Sequence, residues 1–89
     1  MKQEDLMFID RHPSLDLHGF DRESARVAVN DFILDNVKMK NDVVVIIHGV
    51  GSGIVRTATW NVLKKNKYVL EYKSDYMNKG CTVVKLKFN

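Results

Sequence analysis

Two histidines in this chain each close a short apolar run and are followed at once by glycine: L-D-L-H-G over residues 15–19, and V-V-V-I-I-H-G over residues 43–49. Along the first, Asp16 and His18 alternate, so in an extended segment their side chains leave the same face about 6 to 7 Å apart at the backbone. A carboxylate and an imidazole at that spacing can share a phosphate. The imidazole, with an ordinary pKa of about 6.5, suits proton transfer near neutrality. The second histidine, His48, opens the loop H-G-V-G-S-G, residues 48–53. Gly49, Gly51 and Gly53 let the backbone approach a ligand closely, and Ser52 adds little bulk. Just before a helix, such a loop offers a nest of N–H donors to an anion. The plainer reading of the same glycines is a tight turn that needs positive φ.

These residues need elements to hold them. Ser14 to His18 reads as a strand with Leu15 and Leu17 on one face and Asp16 and His18 on the other, ended by Gly19. Asp21 is placed to cap a helix in which Ala25, Ala28, Val29, Phe32, Ile33 and Val37 recur at three- and four-residue spacing. The β-branched run Val43–Ile47 is apolar on both faces, as an interior strand requires. A second helix is predicted from Gly53 or Ile54, with Ile54, Val55, Ala58 and Val62 inward and Arg56, Trp60 and Lys64 outward. Residues 68–73 and 81–88 read as two further strands joined by a polar turn through Asp75, Asn78, Lys79 and Gly80. In the last of them Val84, Leu86 and Phe88 are predicted to face the helices, with Lys85 and Lys87 facing out.

The resulting order, βαβαββ, implies an α/β (α+β) two-layer sandwich: a four-stranded mixed sheet with two helices on one face and the other face open to solvent. Pro13 divides an N-terminal arm, residues 1–13, from a single domain, residues 14–89. The carboxyl ends of the first two strands and the starts of both helices then share one edge, where open α/β sheets bind ligands.

Composition narrows the class of function. The longest apolar stretch, Val43 to Ile47, is far below the ~20 residues of a membrane span. The first dozen residues do not form a secretory signal, and the single cysteine, Cys81, excludes an internal disulfide, so a cytoplasmic setting is expected. Residues 1–45 carry net charge −3 and residues 46–89 carry +6, an asymmetry that suggests a polyanionic partner. Three arginines stand where a helix dipole disfavours cations: Arg22 and Arg26 early in the first helix, Arg56 early in the second. Cations around an anion-binding helix start make sense if the ligand is a phosphodiester. Asp21 and Glu23 offer a blander screen for Arg22.

Other chemistries fit less well. The loop lacks the terminal G-K-[ST] of a P-loop, and its glycine spacing and position differ from a dinucleotide fingerprint. A metal at Asp16 would have to recruit His48 or His12. Trp60 is either a stacking platform for a base or packed beneath the arm through Met7 or Phe8. His12 is expected at the surface, and Cys81 is expected as a small buried side chain.

The set L-D-L-H-G, H-G-V-G-S-G with Val55 and Arg56 after it, and the closing G-C-T-V-V of residues 80–84 resembles the small MutS-related (Smr) domain family over about Leu15 to Leu86. The resemblance implies a fold like the C-terminal domain of translation initiation factor three. It also implies nucleic-acid binding or endonuclease activity on RNA or DNA. It puts Asp16 and His18 at the family's D-x-H cleavage motif and His48, Gly49, Gly51 and Gly53 at its glycine loop, with Arg56 at a basic position after it. Val50 departs from the pattern, standing where the family often has lysine or arginine, and Asn78 to Gly80 keep only part of a glycine-rich turn. The expected function is endonucleolytic cleavage of RNA, or nicking of DNA, by histidine acid/base chemistry without a cofactor. A divalent ion enters the expectation if DNA is the substrate. The rival is a nucleic-acid-binding module without turnover. A ribosome or a larger protein is an expected partner, no membrane is, and the oligomeric state is left open.

Overall fold

A computed structural model describes residues 11–75 and 78–88. Strand β1 is Ser14–Asp16, helix α1 Arg22–Lys38, β2 Val43–Ile47, α2 Ile54–Lys65, β3 Val69–Ser74 and β4 Cys81–Leu86. The sheet order is β1-β2-β4-β3, with β1 parallel to β2 and the other two pairings antiparallel. This is the mixed βαβαββ sheet expected from the sequence. The predicted first strand is shorter than its alternation suggested, yet the Leu17 amide still bonds the Ile47 carbonyl at 2.8 Å, which carries the chain as far as His18 beside β2.

Helix α1 begins where a short acidic side chain can replace the missing partner of a first-turn amide: the Asp21 carboxylate accepts from the Ser24 N–H at 2.7 Å. That bond holds the Asp21 carboxyl below its ordinary range. Ala25, Val29 and Ile33 from α1 and Val62 and Leu63 from α2 meet Leu17, Val44, Ile46, Val84 and Leu86 in one core between helices and sheet. Each fully buried aliphatic side chain there contributes about 1.5–3 kcal/mol of transfer free energy.

Three expectations need correction. The sheet face away from the helices is not open at its centre, because Val43, Val45 and Val83 are all at most 3% exposed. Three β-branched side chains clustered on a bare face would expose a contiguous apolar patch, and the fold closes it. Ile54 is outward, since the inner face of α2 is carried by Ala58, Thr59, Val62 and Leu63. Phe88 lies past the end of β4 and is exposed. Lys85, between the core residues Val84 and Leu86, is on the sheet face away from the helices as expected, with its ammonium 3.1 Å from Asp42. The arm that was expected to precede Pro13, with Met7 and Phe8, lies outside the described residues up to position 10.

Candidate phosphate site and its flanking cavities

The glycine loop is set by two kinds of constraint. Gly49, Gly51 and Gly53 have φ of 78°, 52° and 83°, values that side-chain-bearing residues rarely adopt, so the tight-turn reading of these glycines is correct. It does not displace the anion reading, because a Cβ built on any of the three would meet only open space. At the base of the loop the amides of His48 and Gly49 both bond the Gly80 carbonyl, at 2.9 and 3.0 Å. Gly80 is needed for that approach: a Cβ there would stand 3.3 Å from the Gly49 Cα. Helix α2 starts directly from Gly53 with no side-chain cap from that residue, and the Ser52 hydroxyl reaches the Ile54 amide only at 3.5 Å. Its first-turn N–H groups are left facing the loop, where an anion can take them.

Asp16, His18, the loop Gly49–Gly53 and the start of α2 line one cavity of about 400 Å³. The sequence reading that Asp16 and His18 share an edge with the loop is thus met in space. Their mutual contact is different from a carboxylate-imidazole pair. The Asp16 Oδ1 accepts the backbone N–H of His18 at 2.9 Å, which fixes the turn on which His18 stands. The His18 ring makes no hydrogen bond with the described residues.

His48 is not available to a phosphate through its ring. It is only 8% exposed, with Nδ1 2.9 Å from the Gly49 carbonyl and Nε2 2.7 Å from the Thr82 hydroxyl. A carbonyl only accepts, so Nδ1 carries the hydrogen and Nε2 accepts from Thr82, a tautomer assigned from the network. Thr82 in turn accepts the Trp60 indole N–H at 3.0 Å. With a neutral imidazole every member of the chain Trp60 to Thr82 to His48 to the Gly49 carbonyl has its partner. Burial lowers the His48 pKa from its ordinary 6.5, and the nearby Arg56 charge adds to the fall. The loop therefore owes its shape to His48, a role that the sequence pattern alone could not separate from ligand contact.

With the folded-state pKa of His48 depressed, the unfolded chain takes up a proton that the fold refuses, so stability is fully present above about pH 6.5 and declines as pH falls below it. Thermal melts from pH 7.5 to 5 are expected to show a Tm that drops in acid, and His48→Gln flattens that part of the profile.

Trp60 is also corrected. Instead of standing outward it is half-buried toward the sheet, edge-on to Tyr72 at 4.8 Å, with the Arg56 guanidinium 4.3 Å from its ring centre. Arg56 bonds the Ser74 hydroxyl at 3.0 Å. It lines a different cavity from His18, one of about 560 Å³ shared with Lys79, Ser74, Asp75 and the glycine loop that borders both.

The other two arginines both line the groove between the helices, and only Arg22 also reaches the loop. Arg22 reaches a small hollow with Ser52, Gly53 and Thr57 next to the loop. Arg26 pairs with Glu23 through Nε at 3.1 Å and lines the groove between the helices, away from the loop. Its unfavourable place in the helix dipole is thus offset by a neighbour one turn back.

His12 is half-buried and lines a cavity of about 300 Å³ on the second sheet face with Ser14, Val45, Ile47, Asp75, Asn78 and Cys81. Cys81 is buried as expected, and burial pushes its thiol pKa up, with Asp75 and Asp16 adding to the effect. A thiol so placed is a poor nucleophile. Among the described residues no three His, Cys, Asp or Glu side chains are grouped to hold a metal ion, and no helix is long and apolar enough to cross a membrane.

Comparisons with known proteins bear on the family and the fold. The protein-family model described as Smr domain matches residues 15–87. Endonuclease MutS2 of Clostridium acetobutylicum is 40% identical over 78 residues, and that of Clostridium novyi is 36% identical over 77; each alignment covers 83% of this chain. The chain spans about a tenth of the length of these relatives, 10% in both cases. The crystal structure of the Smr domain of Thermus thermophilus MutS2 superposes with a TM-score of 0.82 at 24% identity, covering 84% of this chain and 98% of that one. YdaL, a stand-alone small MutS-related protein from Escherichia coli, superposes with a TM-score of 0.78 at 25% identity, covering 98% of this chain and 77% of YdaL. With the family's match running from β1 through the end of β4, across the His18 cavity and the glycine loop alike, this chain belongs to the Smr domain family.

Proposed function

We propose that this domain binds nucleic acid at the glycine loop and cuts RNA there, with His18 as the proton-transfer group. One observation carries the reading: the unbonded His18 imidazole, the Asp16 carboxylate and an amide-rich helix start open onto the same 400 Å³ cavity. The named relatives are endonucleases, which agrees with strand scission.

In the proposed step the His18 imidazole removes the proton from a 2′-hydroxyl as its oxygen bonds the adjacent phosphorus. The phosphorus–O5′ bond breaks, and solvent, which reaches this open cavity, protonates the leaving oxygen. The loop amides and the first turn of α2 face the charge that builds on the non-bridging oxygens. Asp16 positions His18 through the backbone and lines the same cavity, where its second carboxylate oxygen serves as a further proton acceptor. Arg22, beside Ser52 and Gly53, adds positive potential at the loop's entrance.

Labelled single-stranded RNA incubated with the protein is expected to give fragments beginning with 5′-hydroxyl, formed in the presence of chelator and absent when the 2′-oxygen at the cut site is replaced by hydrogen. Loss of all cutting on chelation, or equal nicking of the deoxy strand, assigns the scission to activated water instead. Salt-dependent binding with no cutting of either strand identifies a binding module, the reading that Val50, 72% exposed at the loop where the family often has a cation, would favour.

A further inference from the structure

The five residues Gly49–Gly53 line both the cavity that holds Asp16 and His18 and the separate cavity that holds Arg56 and Lys79. We propose that the loop seats two consecutive phosphates of one strand: the reacting diester on the His18 flank and its neighbour on the Arg56–Lys79 flank. This rests on the nucleic-acid reading above and specifies its ligand as a strand with at least two adjacent charged linkages, which a lone phosphate or mononucleotide does not satisfy.

Three features carry it. Arg56 is half-buried, and its interactions are the Trp60 face and the Ser74 hydroxyl, both neutral, so no carboxylate among the described residues quenches it. A guanidinium fixed in place by neutral groups keeps its charge and most of its donors for an incoming anion. Second, Lys79, exposed on the turn before β4, adds another cation to the same cavity, against a single acid there, Asp75, which is buried. Third, the loop between the cavities has no Cβ at three of its five positions, and nothing lies within 4 Å of where one would be. It is a thin ridge with amide donors that a sugar-phosphate chain can cross, and each cavity has the volume of an ordinary ligand site.

The arrangement also changes what Arg56 does. Lining the other cavity, it grips the substrate rather than stabilising the reacting phosphorus. Grip of this kind acts alike on bound substrate and transition state, so it shows in KM and not in kcat.

The test uses a fluorescent oligodeoxynucleotide with one ribonucleotide, which fixes a single cut site, and a single neutral methylphosphonate moved along the linkages. Affinity is read by anisotropy and cutting by gel. For the unaltered protein, neutralising one linkage next to the cut site is expected to weaken binding about tenfold with kcat held. Arg56→Met, which keeps an apolar stem against Trp60, and Lys79→Ala, an exposed change that spares packing, should each weaken binding of the fully charged strand. In either variant the penalty for neutralising that same linkage should largely vanish, and the slope of log affinity against log salt should fall by about 0.7. Independent, additive penalties, or a fall in kcat at unchanged KM for Arg56→Met, overturn the proposal even though cutting persists. Coupled penalties in binding without any cutting sustain the two-phosphate seat and reject the nuclease reading. Absence of binding to every strand rejects both.

Discussion

His18→Ala is expected to lower kcat for RNA cleavage by about 10³-fold while leaving the dissociation constant within about twofold. A positioned general base contributes roughly 10² to 10⁴ in rate, and the alanine variant keeps the amides and cations that hold the phosphates. Structural cost is small: the His18 ring is exposed and hydrogen-bonds nothing among the described residues, while its backbone N–H remains held by Asp16. Single-turnover cleavage and anisotropy with the same labelled RNA separate the two quantities. A variant that still cuts at near the original rate removes His18 from the chemistry, and one that no longer binds makes it a contact residue.

Thr82→Val has the largest expected effect on the fold itself. Valine is close to threonine in shape and suits a strand, so β4 can keep its backbone, but the hydroxyl joins the buried His48 to the half-buried Trp60. Its removal leaves His48 Nε2 without a donor and the Trp60 indole without an acceptor, each costing about 1–3 kcal/mol when water cannot replace the bond. The sum corresponds to a Tm lower by about 10 °C or more for a chain of this size. Thr82→Ser keeps the hydroxyl and is expected to recover most of the loss. Thermal melts of the two variants side by side distinguish the network from simple packing at this fully buried position.

The effect should extend to cleavage, because the network ends on the Gly49 carbonyl. Without Thr82 the His48 ring loses one of the two bonds that hold it, and its hold on the Gly49 carbonyl is looser. The Thr82→Val protein, assayed well below its own melting temperature, should therefore cut more slowly than Thr82→Ser.

The Asp21 cap, the apolar spacing of α1 and the β-branched run of β2 made the layered fold legible in the sequence, because each is a local pattern with one structural outcome. The edge that gathers Asp16, His18 and the glycine loop followed from element order. What stayed hidden depends on partners distant in the chain. Nothing in H-G-V-G-S-G shows that the His48 ring turns inward, since its partner Thr82 lies 34 residues on. The same holds for Arg56, whose place in the other cavity is decided by Ser74, 18 residues away. Trp60, read by helical phase as outward, is drawn toward the sheet by a threonine and Tyr72, neither of which enters a periodicity argument. The closing of the second sheet face had a signal that alternation alone passes over: Val43 and Val45 are as apolar as their neighbours Val44 and Ile46, so neither side of β2 was suited to water.

The borders of the sheet have a bearing on how the molecule behaves at high concentration. On one side β1 is three residues long and is preceded by Pro13; on the other, the register of β3 against β4 shifts between Val69 and Glu71, with Leu70 exposed at the kink. An edge strand too short or too bent to template another gives a neighbouring copy no straight row to extend. The shape of these edges guards against fibre-like stacking beside the exposed charges of Glu71 and Lys73 on β3, and the part that geometry contributes does not weaken as salt is raised.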